Sequence, residues 1–351
     1  MEKYIGMDVH ATSCTAAVMN AQGKRLGAHV IATSGAALVE FLKTQAGTIH
    51  LCIEEGTQST WLAEILSPHV EQMVVTHVSE SRGQKNDERD AFTLAERLRT
   101  GTLETSVYKQ VGRFGKLRQL VRAHAMIVQD TARVQHRIKS LLRSRGVPAT
   151  GKSMYNTTRR AEYLGALPAS ARDAAELLFT QYDAVAPVRD RAHKELVTES
   201  HRHPETRWLE SCPGIGEIRA AQIAAVVVEP ERFRTRRQFW SYCGLGIVMR
   251  SSSDWVQTAQ GKWTRAQVKQ TRGLNQNHNH MLKHVFKGAA TSVLQIQNSQ
   301  EPLRASYERM LAGGTKPNLA KVTLARKLAA IALALWKKKE VYDPAKWTTT
   351  S

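Results

Sequence analysis

Apolar and β-branched positions near the amino end come in short runs separated by polar links. Tyr4-Ile5-Gly6-Met7-Asp8-Val9 is followed by a second run over 13–19 and by the turn Asn20-Ala21-Gln22-Gly23-Lys24. Two such runs and a glycine-bearing turn predict a hairpin or meander, with a third strand over 24–32. Over 34–44 the spacing changes to that of a helix, with Leu38, Phe41 and Leu42 on one side. Ile49-His50-Leu51-Cys52-Ile53 has the pattern of a buried strand and runs into Glu54-Glu55-Gly56-Thr57. A helix over 59–66, a strand over 72–78 and an acidic helix opening at Lys85-Asn86-Asp87-Glu88-Arg89-Asp90 are expected next. This is an α/β order, and it brings carboxylates from distant positions to the carboxyl-end edge of one sheet.

Beyond residue 112 helical spacing recurs in separate stretches. Leu117, Leu120, Val121, Ile127, Val128, Val134, Ile138, Leu141 and Leu142 predict a long amphipathic helix that ends at Gly146-Val147-Pro148. A second long helix is expected over 169–199, kinked or interrupted at Pro187. Antiparallel pairing of the two, or pairing across subunits, would bury both stripes. The polar, basic stretch 155–160 between them reads as a loop. After a linker at 201–204, Pro213-Gly214-Ile215-Gly216 predicts a tight turn between helices, and Leu324, Leu328, Ile331 and Leu335 mark a final amphipathic helix over 320–336 ahead of Lys337-Lys338-Lys339.

Charge changes the picture. The formal net charge is +19 over 351 residues, a field that attracts phosphate backbones. Residues 1–99 hold 9 Lys and Arg against 12 Asp and Glu, net −3, which leaves 41 against 19, net +22, for residues 100–351. An acidic amino-terminal part followed by a basic body suits a carboxylate centre fed by a nucleic-acid-binding body. The four cysteines are scattered, with no Cys-x-x-Cys pair, and read as reduced core residues. No signal peptide and no membrane span is expected, so the chain reads as cytosolic.

The candidate chemistry follows from these placements. Asp87 and Asp90, three apart on a helix, project from one face and can share a cation. Asp8 is a carboxylate in an apolar strand, costly to bury without a cation or donors. With one of Glu54 and Glu55 they make a four-carboxylate set able to hold two magnesium ions, or manganese, astride a scissile phosphate. Arg122, Arg133 and Arg137 on the long helix, Gly214 and Gly216 in the turn, and Arg250, Lys262, Arg265 and Lys269 further on are candidate nucleic-acid contacts. His280 and His284 are four apart on an expected helix, where a polar face outweighs a zinc site. Arg250-Ser251-Ser252-Ser253-Asp254 is a solvated loop unless a base or metal activates a serine.

Three motifs carry a resemblance: Gly6-Met7-Asp8-Val9-His10, then Glu54-Glu55-Gly56-Thr57, then Lys85-Asn86-Asp87-Glu88-Arg89-Asp90-Ala91. Together they resemble the RuvC-like, ribonuclease-H-fold domain of the insertion-sequence-110 family of bacterial transposases. The Pro-Gly-Ile-Gly turn, Tyr242-Cys243-Gly244-Leu245 and the serine cluster resemble that family's carboxy-terminal transposase domain. The resemblance implies an α/β RuvC-like domain at 1–112, a helical coiled-coil region at 113–200, and a mainly α-helical transposase domain with a helix-hairpin-helix-like turn at 201–351.

It also implies a catalytic set of Asp8, Glu55, Asp87 and Asp90 that binds magnesium, with Glu54 as the alternative to Glu55. Ser252, counted from Gly244, would be the nucleophile, with Ser251 and Ser253 as alternatives. The implied active site is two-part, assembled between subunits of a homo-oligomer, a dimer or tetramer. The implied partners are donor and target DNA and a structured noncoding RNA that pairs with both. The implied setting is the bacterial cytoplasm, at the nucleoid when active. A metal-dependent junction resolvase with water as nucleophile is the alternative reading. A sugar-kinase-like or actin-like ATPase and a non-catalytic nucleic-acid-binding protein are further rivals.

Overall fold

The computed structural model describes residues 1–76, 86–103, 112–249, 255–265, 271–296 and 301–347, and of Met249, Arg265, Thr271, Arg272 and Trp347 it describes the backbone alone. The chain divides into two compact units, Met1–Gln110 and Val111–Ser351.

The first unit is an α/β domain. Its strands are β1 (Glu2–Val9), β2 (Ser13–Asn20), β3 (Arg25–Ala32), β4 (Thr48–Glu54) and β5 (Gln72–Thr76), and its helices are α1 (Gly35–Thr44), α2 (Ser59–Leu66) and α3 (Asp87–Thr100). The sheet runs β3-β2-β1-β4-β5. β1, β2 and β3 form the expected antiparallel meander, and β4 and β5 add parallel strands on the other side of β1.

Alternation along each strand sorts the core into two faces. Ile5, Met7, Leu51 and Ile53 pack with Leu38 and Leu42 of α1 and Leu62 and Leu66 of α2. On the opposite face Ala17 and Met19 meet Ala91, Phe92 and Ala95 of α3, while Cys52 meets Leu94 and Leu98. Each fully buried Leu or Ile contributes about 1.5–3 kcal/mol relative to exposure. Both faces of the sheet are therefore covered.

The second unit holds α4 (Gly115–Ser144), α5 (Thr157–Gly165), α6 (Ala169–Ser200), α7 (Pro204–Glu210), α8 (Glu217–Val227) and α9 (Arg236–Tyr242). Four short strands follow: β6 (Ile247–Met249), β7 (Trp255–Gln257), β8 (Trp263–Arg265) and β9 (Thr271–Leu274). α10 (His280–Leu294), α11 (Pro302–Ala312) and α12 (Pro317–Lys338) complete it. β6 pairs with β9 and β7 with β8, both antiparallel.

α4 and α6 lie antiparallel. Leu117 and Val121, near the start of α4, share a core with Leu196 near the end of α6, whereas Ile138 and Leu142 share one with Ala171, Ala175 and Phe179. α6 runs helical through Pro187 and is not interrupted there.

Of the stretch 155–160, expected to be a loop, Tyr155 ends a short 3-10 turn (Ser153–Tyr155) and residues 157–160 open α5. Asn156 caps that helix by accepting from the Thr158 amide at 3.0 Å. Arg160 lies with its guanidinium carbon 4.5 Å from the Phe179 ring centre and donates two hydrogen bonds to Asp183, at 2.6 and 2.7 Å. Tertiary burial of one arginine thus makes a helix of a polar stretch that has no apolar stripe to reveal it.

α7, α9, α10 and α11 pack around α12, which buries Leu324, Leu328, Ile331 and Leu335. The four cysteines are free and buried. Burial pushes the Cys52 thiol up to about 12. No helix among the described residues is long and apolar enough to cross a membrane.

Candidate active site

The site of the first unit begins with an absence of side chain. Gly6 lies on the α3 face of β1, and a Cβ there would run into the Ala91 carbonyl and the Ala95 amide. The α3 backbone therefore rests directly on β1, and its first turn lies beside the end of that strand. Asn86 caps α3 by accepting from the Arg89 amide at 3.1 Å, which fixes Asp87 as the first helical residue.

Asp8, two residues beyond Gly6 on the same face, meets that turn. The His10 Nε2 is 3.3 Å from Asp8 Oδ2 and 3.3 Å from Asp87 Oδ2, so one imidazole edge bridges the two carboxylates. His10 is held by its own amide, which donates to the Ser13 carbonyl at 2.9 Å, and by its carbonyl, which accepts from the Thr33 hydroxyl at 2.9 Å. Burial raises the Asp8 carboxyl above the usual range. The His10 imidazole opposes this, and the charges of Asp87 and Asp90 add to it. The last two effects place Asp90 within electrostatic reach of Asp8.

The strand pleat sorts the two glutamates. Cys52 faces α3, so Glu54, two residues on and the last residue of β4, faces it too. β1 and β4 pair in parallel as far as Met7 opposite Ile53, one residue before Asp8 and Glu54 on their strands. Glu55 follows the strand, exposed, with its amide donating to the Thr76 carbonyl at 2.7 Å.

Among the described residues one group brings three metal-competent side chains within 4.8 Å of one another: Asp8, His10 and Asp87. Repelling carboxylates with oxygen donors match a hard divalent cation such as magnesium or manganese. Sequence reasoning assigned no role to Gly6 or His10. Both stand in the first motif, and a glycine inside a strand is the signal for close backbone approach.

The other expected site residues lie in the second unit or outside the described residues. Ser252, its neighbours Ser251 and Ser253, Arg250, Lys269 and Lys85 are in the latter group. Arg122, Arg133 and Arg137 are exposed on α4, and Arg133 donates to Asp130 at 2.8 Å. Lys262 is exposed in the β7–β8 turn beside Trp263, itself 60% exposed, and Arg265 ends β8.

Gly214 has φ +78, and a Cβ on it would strike the Ala289 carbonyl of α10, so this glycine packs against protein. Arg219 ties the turn down by donating to the Gly214 carbonyl at 2.7 Å and to Ser292 at 2.9 Å. Gly216 has open space around it at the start of α8. His280 and His284 line a groove with His124 and Glu217, and they are not part of a metal-competent group among the described residues.

Two family models match the chain. The DEDD transposase model of the IS110 type covers residues 5–145, and the transposase model of the IS116/IS110/IS902 family covers residues 206–307. A Sinorhizobium fredii protein named as the transposase y4pF/y4sB is 27% identical over 88% of this chain and 78% of its own length. A Pseudomonas aeruginosa protein named as a family 20 transposase is 23% identical over 85% of this chain and 84% of its own. Two models matched in order along one chain, and two relatives aligned across most of it, make the chain a member of the IS110 family of transposases.

Proposed function

We propose that the chain cuts and rejoins DNA by a metal-assisted serine mechanism, with the carboxylates of the first unit and Ser252 of the second acting in one reaction. The observation that carries the first half is the convergence of Asp8, His10 and Asp87 within 4.8 Å. A meander of three strands extended by two parallel strands, with an acidic helix against the first strand, also supports a RuvC-like, ribonuclease-H-type reading of this domain.

Asp8, Asp87 and Asp90 would hold magnesium, and Glu54, on the α3 face of β4, would be the fourth ligand in preference to Glu55. A cation held there would supply charge to neutralise the scissile phosphate and to lower the proton affinity of the attacking hydroxyl. The Ser252 Oγ bonds to phosphorus as the bond from phosphorus to the leaving deoxyribose oxygen breaks, and that oxygen takes up a proton. One phosphodiester-type bond is exchanged for another, so rejoining needs no outside energy. His10 orients Asp8 and Asp87 through its two contacts and keeps them at one spacing before substrate arrives.

The excess positive charge of residues 100–351 and the exposed pair Lys262 and Trp263 support contact with DNA, and with a structured noncoding RNA that supplies sequence specificity by base pairing. Oligomeric assembly of the chain belongs to the same reading. Cleavage of labelled element-end DNA in magnesium tests the carboxylate set. Glu54→Gln is expected to lower the rate by at least about 100-fold and Glu55→Gln by less than about threefold. The reverse order would return the role to Glu55.

A further inference from the structure

A second basic feature lies in the transposase unit, away from any motif. Between α9, α11 and α12 is a cavity of about 330 Å³, at the lower end of small-ligand sites, which start near roughly 300 Å³. Arg236, Arg309, Arg326 and Lys327 line it, and no carboxylate does among the described residues. Its apolar floor is Leu303 and Ile331, both buried.

The walls are fixed. The Trp240 indole N–H donates to the Arg326 carbonyl at 2.8 Å, Arg326 Nε donates to the Leu245 carbonyl at 2.6 Å, and Lys327 Nζ donates to Ser306 Oγ at 2.5 Å. The Arg236 guanidinium carbon sits 5.5 Å from the Trp240 ring centre. A neighbouring cavity of about 280 Å³ shares Arg236 and Ala330 with the first and adds Arg234 and Lys337, again without a carboxylate among the described residues.

We infer that these two adjoining cavities bind consecutive unpaired nucleotides of a single-stranded nucleic acid, the phosphates held by Arg236, Arg309 and Lys327 and a base seated against the Arg236–Trp240 stack. Cations packed together without counter-charge repel one another, and a phosphodiester relieves that cost. Burial and the nearby Arg309 hold the Lys327 ammonium below its usual range, as expected of a cation awaiting an anion. Arg236 and Arg309 are exposed and open to any phosphate, but the recess between them, with its apolar floor and arginine-stacked indole, fits a base outside a helix. The inference rests on the proposed reading of the chain as one that handles nucleic acid, and it uses none of the carboxylate-site residues, since both cavities are lined by residues 233–337.

The test is fluorescence anisotropy of the full chain on labelled oligo(U), oligo(dT) and a duplex, each roughly twelve nucleotides long, across a salt series. Arg309→Gln/Lys327→Gln is expected to weaken single-strand binding roughly tenfold and to reduce the slope of log affinity against log salt by about 1.4, or about 0.7 per cation. Duplex binding should stay within twofold. Loss confined to oligo(U) or to oligo(dT) names RNA or DNA as the occupant, and both support the site. Arg309 is exposed, so Arg309→Gln alone, with an unchanged melting midpoint, serves if the double variant is unstable. Unchanged single-strand affinity and slope, or an equal loss on the duplex, would overturn the inference.

Discussion

Glu199 shows how charge is managed at single residues in this basic chain. Its side chain is 9% exposed at the end of α6, 3.0 Å from Lys116, 3.1 Å from Arg202 and 3.7 Å from His203. Burial pushes its carboxyl up, but Lys116, with Arg202 and His203, holds it below the usual glutamate range. A depressed folded-state value means stability that is present above the ordinary glutamate range and is lost as pH falls through the lowered one. Glu199→Gln should therefore cost about 1–2 kcal/mol near neutral pH. Denaturant melts across a pH series should show the gap to the parent closing on acidification; a constant gap would contradict the assignment. Asp8 is displaced the other way, upward by burial first; His10 opposes the rise, and the like charges of Asp87 and Asp90 add to it.

At the level of elements, the packing of α3 on β1 positions the site, and Gly6 permits it. Gly6→Ala should push the α3 backbone off β1 and cost roughly 1–3 kcal/mol of stability. Cleavage should fall further, by about 100-fold, because a shift of about 1 Å misplaces Asp87 and Asp90 relative to Asp8. Rates and melts measured on the same variant check this, and loss of stability with cleavage retained would contradict it.

These elements differ in how far the sequence discloses them. The meander, α1 to α3 and the two long helices were legible because each has a clean period of two or 3.6 that burial then enforces. The convergence of Asp8 and Asp87 was legible as a pattern of motifs, but the bridging His10 was not, since its role exists only once α3 lies on β1. The face shared by Glu54 and Asp8 needed the β1–β4 register, which no motif states. That Gly214 packs against α10 was not legible either, because a Pro-Gly-Ile-Gly turn looks the same in sequence whatever approaches it. α5 was hidden because its anchor, Arg160 on Phe179, is a long-range contact of a polar residue.

Over the whole molecule, the charge partition divides the work. Residues 1–99 carry net −3 and residues 100–351 net +22; under the proposed mechanism the acid would serve a metal and the excess base would attract nucleic acid. A carboxylate set alone would suffice for hydrolysis with water, so what separates a recombinase from a nuclease in this account is the serine. The most direct test is to incubate the purified protein with magnesium, its element-flanking RNA and labelled DNA, and to map any DNA-linked peptide by mass spectrometry. A phosphoserine adduct at Ser252 is expected, and it should disappear in Asp87→Ala and in Ser252→Ala. Cleavage to free ends with no adduct, persisting in Ser252→Ala, would contradict it and leave a metal-dependent nuclease with water as the nucleophile.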